Sequence, residues 1–161
     1  MQLMVWVMHF KPIVLCSLVE GSRASLNKQA LEQVIGRAYR EHLSQPVTPR
    51  VIWMEVPSNQ AFLEGKTSSV ATLMAPVPDG TSNKLRHPFL YQLLEQWCLT
   101  TGGNKNEVVI TAPDQSLSRA FLSANRKRMP PLRQITYIAK TLVRLVRSKS
   151  ATGHFNTHIN L

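Results

Sequence analysis

The sequence predicts an α/β protein, a two-layer sandwich in which tandem β-α-β units form a four-stranded sheet with two helices on one face, followed by a C-terminal helix. Three observations lead to this prediction. The hydrophobic period changes from strand to helix and back to strand twice along the chain. The first strand of each pass ends on an acid–glycine pair, Glu20-Gly21 and Asp79-Gly80. Glu20 lies 37 residues before Pro57 and Asp79 lies 34 residues before Pro113, so the two passes have nearly the same length.

The first unit, about residues 12–66, begins with an apolar run at residues 13–19 that is typical of a buried strand. Ser25 is a suitable N-cap for the helix that follows. The apolar positions of this helix recur with the spacing of one buried face: Leu31, Val34, Ile35, Ala38, Tyr39 and Leu43. The segment RVIWMEVP, residues 50–57, is apolar enough to form a second buried strand.

The second unit, about residues 67–128, repeats this order. VATLMAPVPDG, residues 70–80, predicts a strand, and Pro88 suits the first turn of the next helix. This helix has its own apolar face and ends at Gly102-Gly103. EVVITAP, residues 107–113, predicts the last strand, and each unit finishes with an Ala-Phe pair, Ala61-Phe62 and Ala120-Phe121.

Two such units combine into one sheet because a strand, a crossover helix and a second strand favour parallel pairing with a right-handed connection. Both helices then lie on a single face, and the other face of the sheet is left bare. We expect other subunits to cover it, and therefore an oligomer. Residues 1–128 form this domain in our interpretation.

Residues 129–161 predict a basic C-terminal helix and a loose tail, reached through a connector at Met129–Pro131. Residues 126–161 hold eight Lys or Arg and no acid, whereas the first 125 residues hold eleven basic and nine acidic side chains. The helix has an apolar stripe: Ile135, Ile138, Ala139, Leu142, Val143 and Val146. Four roles remain open for this segment: a solvated helix face, a contact with another subunit, binding of nucleic-acid phosphates, or binding of an anionic membrane surface.

The composition predicts a cytoplasmic protein with a core of its own. The chain has 161 residues, of which 43% are apolar, and no run approaches the length of about 20 residues needed to span a bilayer. Cys16 and Cys98 suggest small buried hydrophobes rather than a metal site or a disulfide. The five histidines share no ligand spacing, so we expect no metal. The apolar start MQLMVWVMHF raises the alternative of a signal peptide, but it has no positive n-region or cleavage site.

The segments PIVLCSLVEG, RVIWMEVP and AFLEG, with the capped helix between the first two, resemble the tautomerase superfamily of the 4-oxalocrotonate tautomerase type. The resemblance covers about residues 12–128. Small members of this superfamily are one β-α-β unit. Longer members, including cis-3-chloroacrylic acid dehalogenase and malonate semialdehyde decarboxylase, are two fused units that assemble as trimers. The resemblance therefore implies a homotrimer that acts on small keto or enol acids without a cofactor.

The resemblance also implies roles for five residues. Pro12 matches the amino-terminal proline that acts as a general base when its amine is held among cations and apolar walls. Arg50 matches the arginine that polarises a substrate carboxylate or carbonyl. Arg23 resembles a second substrate-binding arginine, one position out of register, with Ser22 at the strict position. Tyr39 falls where the dehalogenases have a histidine, and Phe62 matches the aromatic wall of the pocket.

Two departures from the family pattern limit this interpretation. The second unit has neither the arginines beside the acid–glycine turn nor the acid on the last strand that the dehalogenases carry, so we do not expect dehalogenation. Eleven residues precede Pro12, so its nitrogen is an amide and cannot take up a proton. Either the chain is cut after Lys11, or translation starts elsewhere, or the protein lacks the family chemistry.

Two hypotheses follow. The first is a tautomerase-type isomerase in which Pro12, once exposed, is the base and Arg50 assists it. The second is an inactive protein of the same fold that binds an acidic partner through its basic C-terminal segment. Each candidate residue also has a purely structural interpretation. Pro12 can simply open a strand, Arg50 and Arg23 can be surface charges, and Tyr39 and Phe62 can be core side chains.

Overall fold

A computed structural model describes residues 11–43, 48–128 and 130–158 of the chain. The apolar start at residues 1–10 lies outside the described residues. The first unit consists of β1 (Ile13–Val19), α1 (Arg23–Leu26), α2 (Lys28–Leu43) and β2 (Arg50–Val56). Ser25, the predicted N-cap, lies inside the short helix α1. The N-cap of α1 is Ser22, whose hydroxyl oxygen accepts a hydrogen bond from the backbone N–H of Ser25 at 3.3 Å, and the predicted amphipathic helix is α2, which begins at Lys28.

A small hairpin of β3 (Phe62–Leu63) and β4 (Lys66–Thr67) leads to the second unit. This unit consists of β5 (Ala71–Met74), α3 (Asn83–Thr101) and β6 (Val108–Thr111). The helix α3 starts at Asn83, so Pro88 lies inside it rather than in its first turn, contrary to our prediction. It ends as predicted at Gly102, which adopts a left-handed conformation with φ of 64°.

The C-terminal part contains α4 (Gln115–Lys127), α5 (Pro131–Thr152) and β7 (Phe155–His158). The helix α5 confirms the predicted amphipathic helix. The prediction of a loose tail was wrong for residues 155–158, because β7 pairs with β2 in parallel. The sheet consequently has five strands rather than four, in the order β6-β5-β1-β2-β7.

The strand directions follow the predicted duplication. β1 and β2 are parallel around α2, and β5 and β6 are parallel around α3. The two units meet where β1 and β5 pair antiparallel, with Cys16 opposite Leu73. α2 and α3 pack on the same face of the sheet and enclose one apolar core, in which Trp53, Tyr39 and Phe89 are fully buried.

The second face of the sheet carries the side chains that alternate with those of the core. Ile13 is 38% exposed and Val109 is 53% exposed on this face. Within the described part of the chain, no helix is long and apolar enough to cross a membrane.

Candidate functional site

Pro12 is buried directly before β1, where the sequence comparison with the tautomerases suggested it. Its carbonyl oxygen accepts a hydrogen bond from the backbone N–H of Arg50 at 2.9 Å. This bond joins the amino ends of the parallel strands β1 and β2. Lys11 precedes Pro12 in the described chain, so the Pro12 nitrogen is part of a peptide bond.

The side chain of Arg50 extends over the C-terminal strand. Its guanidinium carbon lies 5.6 Å from the centroid of the Phe155 ring, and the Nζ of Lys149 lies 5.1 Å from the same centroid. Both contacts are within the range of cation–π attraction. Phe155 on β7 therefore contacts Arg50, the arginine whose backbone is hydrogen-bonded to Pro12.

Tyr39 lies at the same end of the sheet but is fully buried beneath it. Its hydroxyl donates a hydrogen bond of 2.7 Å to the carbonyl oxygen of Pro76, which follows β5. Its ring meets Phe89 edge-on with centroids 5.1 Å apart. Burial raises the pKa of the Tyr39 phenol well above its usual range, so this group remains protonated and acts as a donor.

Arg23 and Phe62 lie at the opposite end of the sheet. Arg23 follows the carboxyl end of β1, and Phe62 follows the carboxyl end of β2 on the hairpin, where it is 63% exposed. A strand of this length spans roughly 20 Å. One chain therefore brings Pro12, Arg50 and Tyr39 to one end, and Arg23 and Phe62 to the other.

The duplication relates the two ends of the sheet to each other. Met74 follows Leu15 by 59 residues, and Asp79 follows Glu20 by the same number. Leu15 and Met74 also face each other across the antiparallel pair of β1 and β5, so equivalent positions of the two units meet at a local two-fold axis. By this relation Ala71 is the counterpart of Pro12, and Val109 is the counterpart of Arg50.

A cavity of about 280 Å³ lies at the Ala71 end. Ala71 and Trp97 form its apolar part, and polar side chains complete the lining: Ser22, Arg23, Ser69, Thr101, Asn104 and Glu107. The Pro12 end thus has a proline and an arginine at the strand ends, but its turn carries Thr81 and Ser82 instead of an arginine. The Ala71 end has a turn arginine, Arg23, but an alanine in place of the proline.

Arg86 is a half-buried cation at the Pro12 end that was not among the predicted site residues. Its guanidinium donates to the carbonyl oxygens of Ala112 at 2.7 Å and Thr81 at 3.0 Å, and pairs with the Asp114 carboxylate at 2.7 Å. These bonds tie the turn after β5 to the end of β6. No spacing or motif distinguishes this arginine in the sequence, because all its partners are distant along the chain or are backbone atoms.

Metal ligands do not converge in the described residues: no three His, Cys, Asp or Glu side chains lie close enough to hold an ion. The two cysteines in this part of the chain are unpaired. Cys16 is fully buried, and burial raises the pKa of its thiol.

Three solved structures illustrate what this fold resembles. A fused 4-OT, solved as a symmetric trimer, matches with a TM-score of 0.57 and 17% identity, covering 64% of this chain and 85% of its own. Pt0534, inactivated by 2-oxo-3-pentynoate, matches with a TM-score of 0.58 and 22% identity over 64% and 85%. N1, a member of the cis-3-chloroacrylic acid dehalogenase family, matches with a TM-score of 0.59 and 15% identity over 64% and 74%.

No protein-family model matches the sequence, and neither does any curated protein. The likeness therefore lies in the fold. Because the identities are low, the likeness does not extend to the roles of individual residues. The order of strands and helices, the antiparallel junction of the two units and the matches to fused 4-OT and dehalogenase-family structures agree with one another. The chain shares the fold of these fused 4-OT and dehalogenase-family structures.

Proposed function

We propose that this protein is a tautomerase that moves a proton between carbon and oxygen in small keto and enol acids, with Pro12 as the base. The observation that carries the proposal is the position of Pro12 at the head of β1, bonded through its carbonyl to the backbone of Arg50.

The chemistry requires a free secondary amine at Pro12. Such an amine takes the enol proton or the proton on the carbon next to a carbonyl, and returns a proton at the other position, so that no atom is gained or lost. Arg50 binds the carboxylate or stabilises the developing negative charge on the carbonyl oxygen. In the chain as described, the peptide bond from Lys11 blocks the amine, so activity depends on removal of the preceding residues.

The assembly that we propose is a homotrimer. A fused 4-OT of the same fold forms a symmetric trimer, and the present chain exposes apolar side chains on the helix-free face of its sheet. Arg23 and Phe62 would then contribute to a Pro12 site only from a neighbouring subunit, because they lie at the far end of β1 within one chain. Tyr39 would contribute indirectly, by fixing the backbone at Pro76.

The test compares the full chain with a shortened chain in which a single initiator Met stands before Pro12, so that aminopeptidase removal of this Met exposes the proline. We expect only the exposed form to accelerate ketonisation of an aryl enolpyruvate. In this form Pro12→Ala should lower kcat by about 10²-fold or more, the usual contribution of a general base, and Arg50→Gln should also reduce it. Incubation with 2-oxo-3-pentynoate should add one label at the amino terminus, seen by peptide mass spectrometry.

Inactivity of both the full and the Pro12-exposed protein on a panel of enol and keto acids, with normal circular dichroism, would reject the proposal. Equal activity of the two forms would also reject it, because an acylated proline cannot act as a base.

A second candidate function is a non-catalytic scaffold that binds an acidic partner through α5. The observation in its favour is that Lys140, Arg144 and Arg147 are exposed on this helix beside an exposed apolar stripe. Removal of residues 130–161 would also remove β7 from the sheet. The matched test therefore neutralises Lys140 and Arg144 to Gln and measures binding of an acidic peptide. Unchanged binding would exclude this function.

A further inference from the structure

The cavity at the Ala71 end contains two opposite charges that are close together but do not pair. The Nη1 of Arg23 donates a hydrogen bond of 2.5 Å to the carbonyl oxygen of Gly102. The carboxylate of Glu107 lies close to Gly103, the residue after Gly102: a Cβ added at Gly103 would lie 2.9 Å from the Glu107 Oε2. Consecutive Cα atoms are only 3.8 Å apart, so both charges border the same short stretch of backbone. Within the described residues they form no ion pair with each other.

We propose that this cavity binds an α-amino acid in its zwitterionic form. Arg23 takes the carboxylate, for which its planar fork of donors is suited, and Glu107 takes the ammonium group. An α-amino acid carries these two charges on groups bonded to the same carbon atom. The cavity presents the complementary charges, Arg23 and Glu107, beside two consecutive residues, Gly102 and Gly103. This inference needs no free amine at Pro12, because within one chain the cavity lies at the other end of β1.

The charges of the cavity argue against simpler ligands. A dicarboxylate would bring its second negative charge towards Glu107, and a diamine would bring a positive charge towards Arg23. Like charges placed next to each other disfavour binding. The net charge of +10 of the whole chain would attract any anion without regard to its amine. A preference for the zwitterion over the matching anion therefore cannot arise from the general basicity of the protein.

The size and lining of the cavity suit a small amino acid. Its volume of about 280 Å³ is just below the range of roughly 300–1,000 Å³ that is usual for drug-sized ligands. Trp97, Ala71 and Ala24 line the apolar side of the cavity. A methyl group at Gly103 would lie 2.9 Å from the Glu107 Oε2 and 3.1 Å from the Thr101 hydroxyl, so it would displace the Glu107 carboxylate from its place at the rim.

The experiment is calorimetric titration of the full chain with L-alanine, L-threonine and L-leucine, and with two probes that each lack one charge of alanine: propionate and L-alanine amide. We expect at least one amino acid to bind, and both single-charge probes to bind more weakly by about tenfold or more, which is the effect of losing one charge-assisted hydrogen bond. Absence of binding by all three amino acids, or propionate binding as tightly as alanine, would overturn the proposal.

Variants assign the two charges. Arg23→Gln should weaken amino-acid binding by about tenfold or more, whereas Arg37→Gln, the same change at an exposed arginine on α2, should not. Glu107→Gln removes a carboxylate that has no partner in the described residues, so it should leave the fold intact while abolishing the preference for alanine over propionate. Gly103→Ala should weaken binding without altering charge. Equal effects of Arg23→Gln and Arg37→Gln, or a retained preference in Glu107→Gln, would contradict the assignment.

Discussion

Tyr39 illustrates what the sequence can reveal about a single side chain. Helical periodicity placed it on the buried face of its helix, and the structure has it fully buried there. The resemblance to dehalogenases suggested that its hydroxyl would bind substrate, but in the folded chain this hydroxyl donates to the Pro76 carbonyl. The partner lies 37 residues away in sequence, so periodicity could identify the buried face but could not identify the bond.

We expect Tyr39→Phe to lower the free energy of unfolding by about 1–3 kcal/mol, because it leaves a buried carbonyl oxygen without its donor. Urea denaturation followed by circular dichroism measures this. Tyr91→Phe is the control, because Tyr91 is 56% exposed on α3 and should lose much less. Equal losses in the two variants would mean that the Pro76 bond does not stabilise the fold.

The elements of the duplicated body were largely predictable, whereas after residue 113 only the helix α5 was predicted and α4 and β7 were not. The strand and helix periods repeat locally, so β1, α2, β2, α3 and β6 could be recognised from short windows. By contrast, β7 depends on contacts that span the chain. The Lys28 ammonium pairs with the Glu55 carboxylate and donates to Asn156 on β7 at 3.2 Å, and His154 contacts Glu32 at 2.9 Å. No local pattern reveals such partners, and α4 was missed where only the Ala120-Phe121 pair had been noted.

At the candidate site, too, local sequence patterns predicted some positions and not others. The positions of Pro12 and Arg50 at neighbouring strand ends follow from parallel pairing, which the motif order predicts. The separation of Arg23 from Pro12 follows from β1, which lies between them. The sequence shows the duplication but not which strands of the two units pair, so it could not reveal that Arg23 lies beside the Ala71 end of the second unit.

The start of α4 provides a prediction with a pH dependence. The Asp79 carboxylate accepts a hydrogen bond from the backbone N–H of Ser116 at 2.9 Å, and this bond holds the pKa of Asp79 below its usual value. A lowered folded-state pKa means that Asp79 stabilises the fold above its unfolded pKa of about 3.9, and that this stabilisation disappears as the pH falls through the lower folded value.

Asp79→Asn should therefore lower the Tm at pH 7, and the difference from the original protein should shrink as the pH falls below about 4. Thermal unfolding at a series of pH values measures the effect. Glu64→Gln, an exposed change on the hairpin, serves as the control for the loss of one negative charge. A difference in Tm that stays constant down to the lowest accessible pH would show that ionisation of Asp79 is not involved.

At the scale of the whole molecule, the uncovered face of the sheet leads to a prediction about assembly. Val109 is 53% exposed on the face opposite the helices, while Leu99 on α3 is 75% exposed towards solvent. If the sheet face is the contact between subunits, the same substitution should have different effects at the two positions, because a buried unpaired charge is costly and an exposed one is not.

Light scattering coupled to size-exclusion chromatography should give three times the 18.2 kDa of one chain. Val109→Glu should shift the protein towards the monomer, and Leu99→Glu should leave the trimer intact. A monomeric original protein, or a trimer that persists in Val109→Glu while Leu99→Glu dissociates, would show that the sheet face is not the interface.

The pairing of β7 with β2 has a consequence for how the protein is made. Phe155 pairs with Ile52 across 103 positions of sequence, and a ribosome needs roughly 5–20 s to add that many residues. During this interval the outer edge of β2 has emerged but its hydrogen-bonding groups have no native strand beside them. Unpaired edges of this kind recruit other strands, so nascent chains on one polysome are the most exposed to wrong pairing. Slower elongation between β2 and β7 should lengthen this interval and lower the soluble yield.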